Sequence, residues 1–466
     1  MKVAATAQTY LLLADADFVL QSRRSVLRRS SVLVRGDRIA EVGDAREISE
    51  RHPTAEWIDC RGWLLHPGLV NAHNHLYQVL LRGLGKNLDL WQWLKHVTYP
   101  IAAQLKEEDY RTSALLACVD AIRNGTTAIV DMPTHFARHH ADATIAAIRD
   151  SGLRGAVARG LADRREIGDE GDHLNVEIEA GERFLSSWSG QGLVKPWLGP
   201  SGFHSSSPRL LKEAKALATS YGARLHVHLA ETRSSLGRAA EAGHEGEVSW
   251  ADDLGLLDAE TLVAHAVWTS TAEWHALART DAQVVHNPTS NQLLAVGAAP
   301  VTRMRAAGVT VALGTDGPAS NDAMDLYGEM KAAVLLQRVT TLDVTSLSAL
   351  EAFEMCTEGG AGALGMERLG RLQPGYLADV VAVQVHDNPR LTPMHNPIES
   401  LVFQACGRDV VLTMVGGKVL YRDGQVTTID DATVMRDVRR IQNRIARQHP
   451  GLITATLAVH VAEEDS

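Results

Sequence analysis

Eight short apolar runs, set apart by longer amphipathic segments between residues 66 and 370, constrain this chain more than any other feature. They are HPGLVNAH (66–73), TTAIVDM (126–132), GAVARG (155–160), LVKPWLGP (193–200), RLHVHLAE (224–231), TLVAHA (261–266), AQVVH (282–286) and VTVALGTD (309–316). Helix-like segments fall between them, such as EEDYRTSALLACVDAIRNG, DATIAAIRDSG and SPRLLKEAKALATSYG. Several end on a glycine just past their periodic part, as a helix C-cap requires. Eight strand–helix repeats are the count of a (β/α)8 TIM barrel. An open doubly wound sheet is the alternative, but it usually runs to fewer strands.

The two ends of the chain have another texture. TYLLLADADFVL, SSVLVRGDRIAEVGD and AEWIDCRGWLLHPG alternate apolar and polar positions around glycine turns, and RGDRI reads as a hairpin turn. Strand character returns after residue 370 in GRLQPGYLADVVAVQV and DVVLTMVGGKVLYRDGQVT. The expected architecture is therefore α/β. Residues 1–65 and 371–430 build one small flanking β-sandwich domain from both termini, residues 66–370 form the barrel, and residues 431–466 are a C-terminal helix and tail. Its basic stretch ATVMRDVRRIQNRIARQHP is read as a solvated face, because the chain carries a net charge of -10 and no aromatic platform accompanies the helix, so no nucleic-acid partner is expected. No long uncharged apolar stretch calls for a membrane span. Asp15 and Asp17 interrupt the apolar N-terminus, which reads as a strand and not a signal peptide. Four scattered cysteines, at 60, 118, 356 and 406, make neither a disulfide framework nor a CxxC site, and the cytoplasm is the expected compartment.

Most of the eight runs carry a polar residue at the edge where a barrel gathers its loops. His73 and His75 end the first, and residues i and i+2 of a strand face one side, so both imidazoles can address one metal ion. Asp131 ends the second run, His226 and His228 lie in the fifth, His265 ends the sixth, His286 the seventh and Asp316 the eighth. The end position favours His228 over His226 as a ligand and leaves His226 as a packed or supporting residue. His73, His75, His228 and Asp316 make a donor set suited to zinc or iron(II) with a position left for water, whose pKa the ion would lower. Glu231, three residues past His228, can take a proton from that water and deliver it to a ring nitrogen or leaving amine. His265 and Asp316 can orient the same water, and direct ligation by His265 stays open. Arg159, near the end of the third run, is read first as a structural ion pair and only second as a contact for a substrate phosphate or carboxylate.

The segments PGLVNAHNH, LLRGLGKNLDLWQWL, HVHLAE, LVAHAV, VVHNPTSN, LGTDGPASND and GRLQPGYLADVVAV resemble the amidohydrolase superfamily. They are closest to its branch of metal-dependent aminohydrolases, which holds cytosine, guanine, 8-oxoguanine and S-adenosylhomocysteine/methylthioadenosine deaminases and the s-triazine hydrolases. The resemblance implies one divalent metal ion per subunit, Zn2+ ahead of Fe2+, on His73, His75, His228 and Asp316. It implies Glu231, His265 and Asp316 as the catalytic set. Binuclear members carry a bridging lysine or carboxylate at the end of strand four. Here Lys195 lies at the start of that strand, which favours one metal. A homo-oligomer, dimer or larger, is the family expectation.

The expected reaction is release of ammonia from an amino-substituted nitrogen heterocycle of purine, pterin, pyrimidine or s-triazine type. A cyclic amidohydrolase or an s-triazine dechlorinase on the same site is the alternative, and a non-catalytic scaffold a further one. The dechlorinase pattern has Asn directly after the strand-eight Asp, where this chain has Gly317. In the methylthioadenosine/S-adenosylhomocysteine deaminases a Glu that contacts ribose stands where Trp91 stands here, and a His opens the loop where Ser201 falls. Both differences argue against a ribose-bearing substrate, with His204 able to compensate. Trp91 and Trp93 offer flat surfaces to a ring, Trp93 equally as core packing. Gln78, Ser201, His204, His286 and Ser320 complete the expected substrate contacts, and His135, His139 and His140 are candidates to line the pocket.

Overall fold

The structure, a computed structural model, describes residues 10–22, 25–164 and 173–451. Eight parallel strands follow one another around a barrel in chain order: β1 (Leu69–Asn74), β2 (Thr126–Asp131), β3 (Arg154–Leu161), β4 (Val194–Pro200), β5 (Leu225–Leu229), β6 (Thr261–His265), β7 (Gln283–His286) and β8 (Val311–Leu313). Each coincides with one of the eight apolar runs. Alternate residues of a strand enter different apolar clusters: Leu69 of β1 joins Val311 and Leu313 of β8, while Val70 and Ala72 join Ala312. Both faces of the strands are thus buried, as parallel sheets require. Lys195 is the single exposed residue in the eight strands and sits at the N-terminal edge of β4.

β8 is only three residues long, and polar side chains finish the closure that its backbone begins. The Asp316 N–H donates to the His73 carbonyl at 3.1 Å. The Thr315 N–H donates to Asn71 Oδ1 at 3.0 Å, and the amides of Asn71 and Asn74 both donate to Thr315 Oγ1. The approach needs a glycine at 314, where a Cβ would lie 2.8 Å from the His73 nitrogen. The seam between first and last strand therefore places His73 beside Asp316.

The flanking domain is a nine-stranded mixed sheet contributed by both ends of the chain. Val380–Gln384 pairs antiparallel with Trp63–Pro67, which runs through Gly68 directly into β1. A buried ion pair fastens this sheet to the barrel: Arg154 Nε at the start of β3 lies 3.1 and 3.0 Å from the two carboxylate oxygens of Asp379. The C-terminal helix Asp431–Gln448 buries Val434, Ile441 and Ile445 and is pinned to the helix Glu107–Arg123 by Arg123–Asp431 and Arg444–Asp109 pairs. No helix among the described residues is long and apolar enough to cross a membrane.

Candidate active site

The C-terminal ends of β1, β5, β6 and β8 converge on one point. His73 Nε2 lies 3.4 Å and His75 Nε2 3.3 Å from Asp316 Oδ1. His228 Nε2 lies 3.4 Å from His75 Nε2. Ligand atoms of His73, His75 and Asp316 fall within 4.8 Å of one another, and so do those of His73, His228 and His265. The two groups share His73, so they outline one centre.

The second nitrogen of each ring sets its orientation. His75 Nδ1 meets the Met132 carbonyl at 2.6 Å and His228 Nδ1 the Ser201 carbonyl at 2.8 Å. His73 Nδ1 meets His226 Nε2 at 3.1 Å, and His265 Nδ1 meets Asn291 Oδ1 at 3.1 Å. Such partners fix the tautomer and aim the remaining nitrogen at the centre. Asp316 is held likewise: Oδ2 accepts from Ser290 Oγ at 2.6 Å and Oδ1 from the Gly317 N–H at 2.7 Å. His73 Nε2 is buried with no hydrogen-bond partner of its own. An orphaned imidazole nitrogen facing a carboxylate and further imidazoles fits a divalent cation, and the donor set suits zinc.

Burial drives the pKa of His73 down to about 4 against the pull of Asp316, and drives His226 and His228 well below the usual imidazole range. These imidazoles are therefore neutral, the state in which a lone pair is free for a metal. Burial alone would raise Asp316, but the imidazoles that face it, His73 foremost, hold its carboxyl well below the carboxylate range. Backbone strain collects here too. Ala230, His265, Ala266 and Asp316 all have positive φ, at 55°, 74°, 47° and 58°. For residues other than glycine each such conformation costs about 1–3 kcal/mol and clusters at functional sites.

A cleft opens over this centre, and His75, His228, His265 and Asp316 form its floor. Glu231 reaches in from the end of β5, with Oε1 3.7 Å from His265 Nε2. Burial pushes the Glu231 carboxyl up, opposed by His265. Trp91 and Trp93 stand in the wall. Trp93 is also part of the main apolar cluster, so it serves packing and cleft together. The half-buried Trp91 meets the His204 ring edge-on at 5.4 Å. Gln78, Thr134, Ser201 and Ser320 complete the polar lining, and Gln78 Oε1 and Ser201 Oγ are buried without hydrogen-bond partners.

Other expected residues fall elsewhere. His286 is fully buried at the end of β7, where its carbonyl accepts the Gly314 N–H, and it has no place among the described cleft-lining residues. His226 backs His73. Asp131 accepts the Leu76 N–H at 2.7 Å and so anchors the turn that follows His75. Arg159 is a structural ion pair: with Arg138 it brackets the buried carboxylate of Glu177. His140 stacks on Tyr110 at 4.5 Å, His139 is exposed, and the His135 side chain lies outside the described residues. Sequence reasoning passed over Ser290 and Asn291. Their signal was two polar residues within the VVHNPTSN segment, but nothing local said they turn back toward Asp316 and His265.

Residues 64–420 match the amidohydrolase family, and residues 32–55 match the imidazolonepropionase-like composite domain of bacteria. The chain is 37% identical over 411 residues to a 5'-deoxyadenosine deaminase of Methanothermobacter thermautotrophicus, covering 88% of this chain and 93% of the relative. An adenosine deaminase from Xanthomonas campestris with bound zinc superposes with a TM-score of 0.85 at 26% identity, covering 94% of this chain and 98% of that one. An atrazine chlorohydrolase from Arthrobacter aurescens complexed with zinc superposes at 0.86 and 25% identity, covering 93% and 100%.

Proposed function

We propose that this chain, which belongs to the amidohydrolase family, is a hydrolytic deaminase of free amino-substituted nitrogen-heterocycle bases. The coarser statement stands independently: it is a metal-dependent hydrolase of the family branch that includes deaminases and triazine hydrolases. The observation that carries the finer one is the placement of Glu231 and His265, 3.7 Å apart, in the cleft whose floor carries the metal donors. His73, His75, His228 and Asp316 would hold one divalent ion, zinc ahead of iron(II), with His265 beside them. Bound there, the ion would acidify water and polarise the substrate.

The protein's own groups supply the rest. An aromatic amine enters edge-first between Trp91 and the floor, and Gln78 and Ser201 offer polar atoms to its ring edge. As water adds to the carbon bearing the amine, Glu231 accepts its proton and hands it to the adjacent ring nitrogen. His265, held by Asn291, orients the water. Glu231, a carboxylate again, then takes the proton of the added hydroxyl and passes it to the amino nitrogen; the carbon–nitrogen bond breaks, ammonia leaves, and a carbonyl remains on the ring.

Two details favour deamination of a base. Glu231 and Asp316 are the only carboxylates among the described cleft residues, and both are committed. No third one is there to accept the hydroxyls of a ribose, a common carboxylate role. A side chain at Gly317 also meets Gln78: its Cβ would fall on the Gln78 carboxamide, which would have to move. An asparagine there, the dechlorinase pattern, would displace Gln78. Gly317→Asn is accordingly expected to lower kcat/KM for deamination about tenfold, the worth of one recognition hydrogen bond, with metal content unchanged.

The direct test is ammonia release by the zinc-loaded protein from purines, pterins, pyrimidines, amino-triazines and 5'-deoxyadenosine. A free base should exceed the nucleoside in kcat/KM by at least about tenfold, since no cleft carboxylate is left to accept a ribose diol. If 5'-deoxyadenosine leads the panel, the free-base assignment fails. Ring opening without ammonia would instead identify a cyclic amidohydrolase.

A further inference from the structure

One carboxylate outside the cleft bonds both the peptide before Glu231 and the arginine beside Trp91. Glu247 opens the helix Glu247–Asp253 in the β5–β6 connection, and its side chain is 4% exposed. Its Oε2 accepts the Ala230 N–H at 2.7 Å, and its Oε1 accepts Arg238 Nη1 at 2.5 Å. Ala230 directly precedes Glu231 and has φ 55°. Its carbonyl accepts the N–H groups of Val267 and Trp268 at 3.0 and 2.8 Å. A non-glycine residue stays in this region only when its surroundings over-determine it. Of the three hydrogen bonds on Ala230, only the one from Glu247 comes from a side chain. At the other end of the pair, Arg238 Cζ lies 5.8 Å from the centre of the Trp91 ring, a cation–π distance.

We propose that Glu247 and Arg238 are positioning residues that couple the seating of Glu231 to the Trp91 wall of the cleft. A ring entering against Trp91 presses it on Arg238. Arg238 is held by Glu247, and Glu247 holds the peptide that aims Glu231. The inference rests on Glu231 as the proton carrier.

The two ends of the device separate by substitution. Glu247→Gln keeps an acceptor for the Ala230 N–H but loses the charge that holds Arg238. It should raise KM about fivefold while lowering kcat less than about threefold. Glu247→Leu removes both, and a misaimed Glu231 should cost about 10²-fold in kcat. The Ala230 amide should then exchange with deuterium at least about tenfold faster than in the parent protein, a readout needing neither metal nor substrate. Arg238→Met should raise KM as Glu247→Gln does, with Arg238→Lys restoring most of it. A merely structural pair would lower thermal stability without splitting KM from kcat between the Gln and Leu variants. Equal kinetics for those two variants with unchanged Ala230 exchange overturns the proposal. If Glu247→Leu does not fold, Arg238→Met with parental KM and kcat overturns it. Activity surviving in Glu231→Gln would remove the proton-carrier reading instead, while Ala230 exchange in Glu247→Leu still reports on the clamp.

Discussion

Glu231→Gln is expected to keep a full complement of metal and lose at least about 10²-fold in turnover, the usual worth of a positioned proton carrier. The amide matches the carboxylate in size and can keep the contact at 3.7 Å with His265 Nε2, so the cleft should hold its shape. It cannot accept a proton. Neither group of candidate ligand atoms includes Glu231, so metal content should not follow activity down. Burial raises the Glu231 acid, so it holds a proton more readily than an exposed carboxylate and can return it to a ring nitrogen. Metal analysis alongside ammonia release separates the two effects. Turnover within tenfold of the parent would assign proton transfer to another group, with His265 the nearest.

The barrel was legible because its signal is periodic and local. Each apolar run from HPGLVNAH to VTVALGTD became a strand, and the texture shared by the two ends became one sheet, joined where Val380–Gln384 pairs with Trp63–Pro67. The strand-end residues were also visible, because a barrel turns one edge of every strand toward the same place. The supports of those residues were hidden. Ser290 reaches Asp316 and Asn291 reaches His265 only because the short helix Pro288–Leu293 folds back over the site. Glu247 looks in sequence like any acidic residue at a helix start. Its partners Ala230 and Arg238 are found only by following the β5–β6 connection in space. His286 shows the opposite case: a strand-end position identical in pattern to that of His265, with a fully buried side chain that is not among the described residues lining the cleft.

His73→Ala should abolish metal binding and, with it, at least about 10³-fold of turnover, because both the acidified water and its orientation depend on the ion. His73 is the one residue common to both groups of ligand atoms. Its loss would leave Asp316 with His75 as its remaining close imidazole among the described ion pairs. His226→Asn makes the contrast. It removes the imidazole 3.1 Å behind His73 but leaves the donor atoms in place. Such a change behind a ligand typically weakens metal affinity about 10–100-fold without abolishing it. Thermal unfolding tells ligand loss from misfolding. An ion that binds only the folded chain adds about 4 kcal/mol at a thousand times its Kd, so a chelator should lower the Tm of the parent. The Tm of His73→Ala should ignore the chelator and match that of the stripped parent, apart from the cavity left by the missing ring. If His73→Ala still binds one ion and its Tm still falls with chelator, the metal sits on other residues and the assigned centre is wrong.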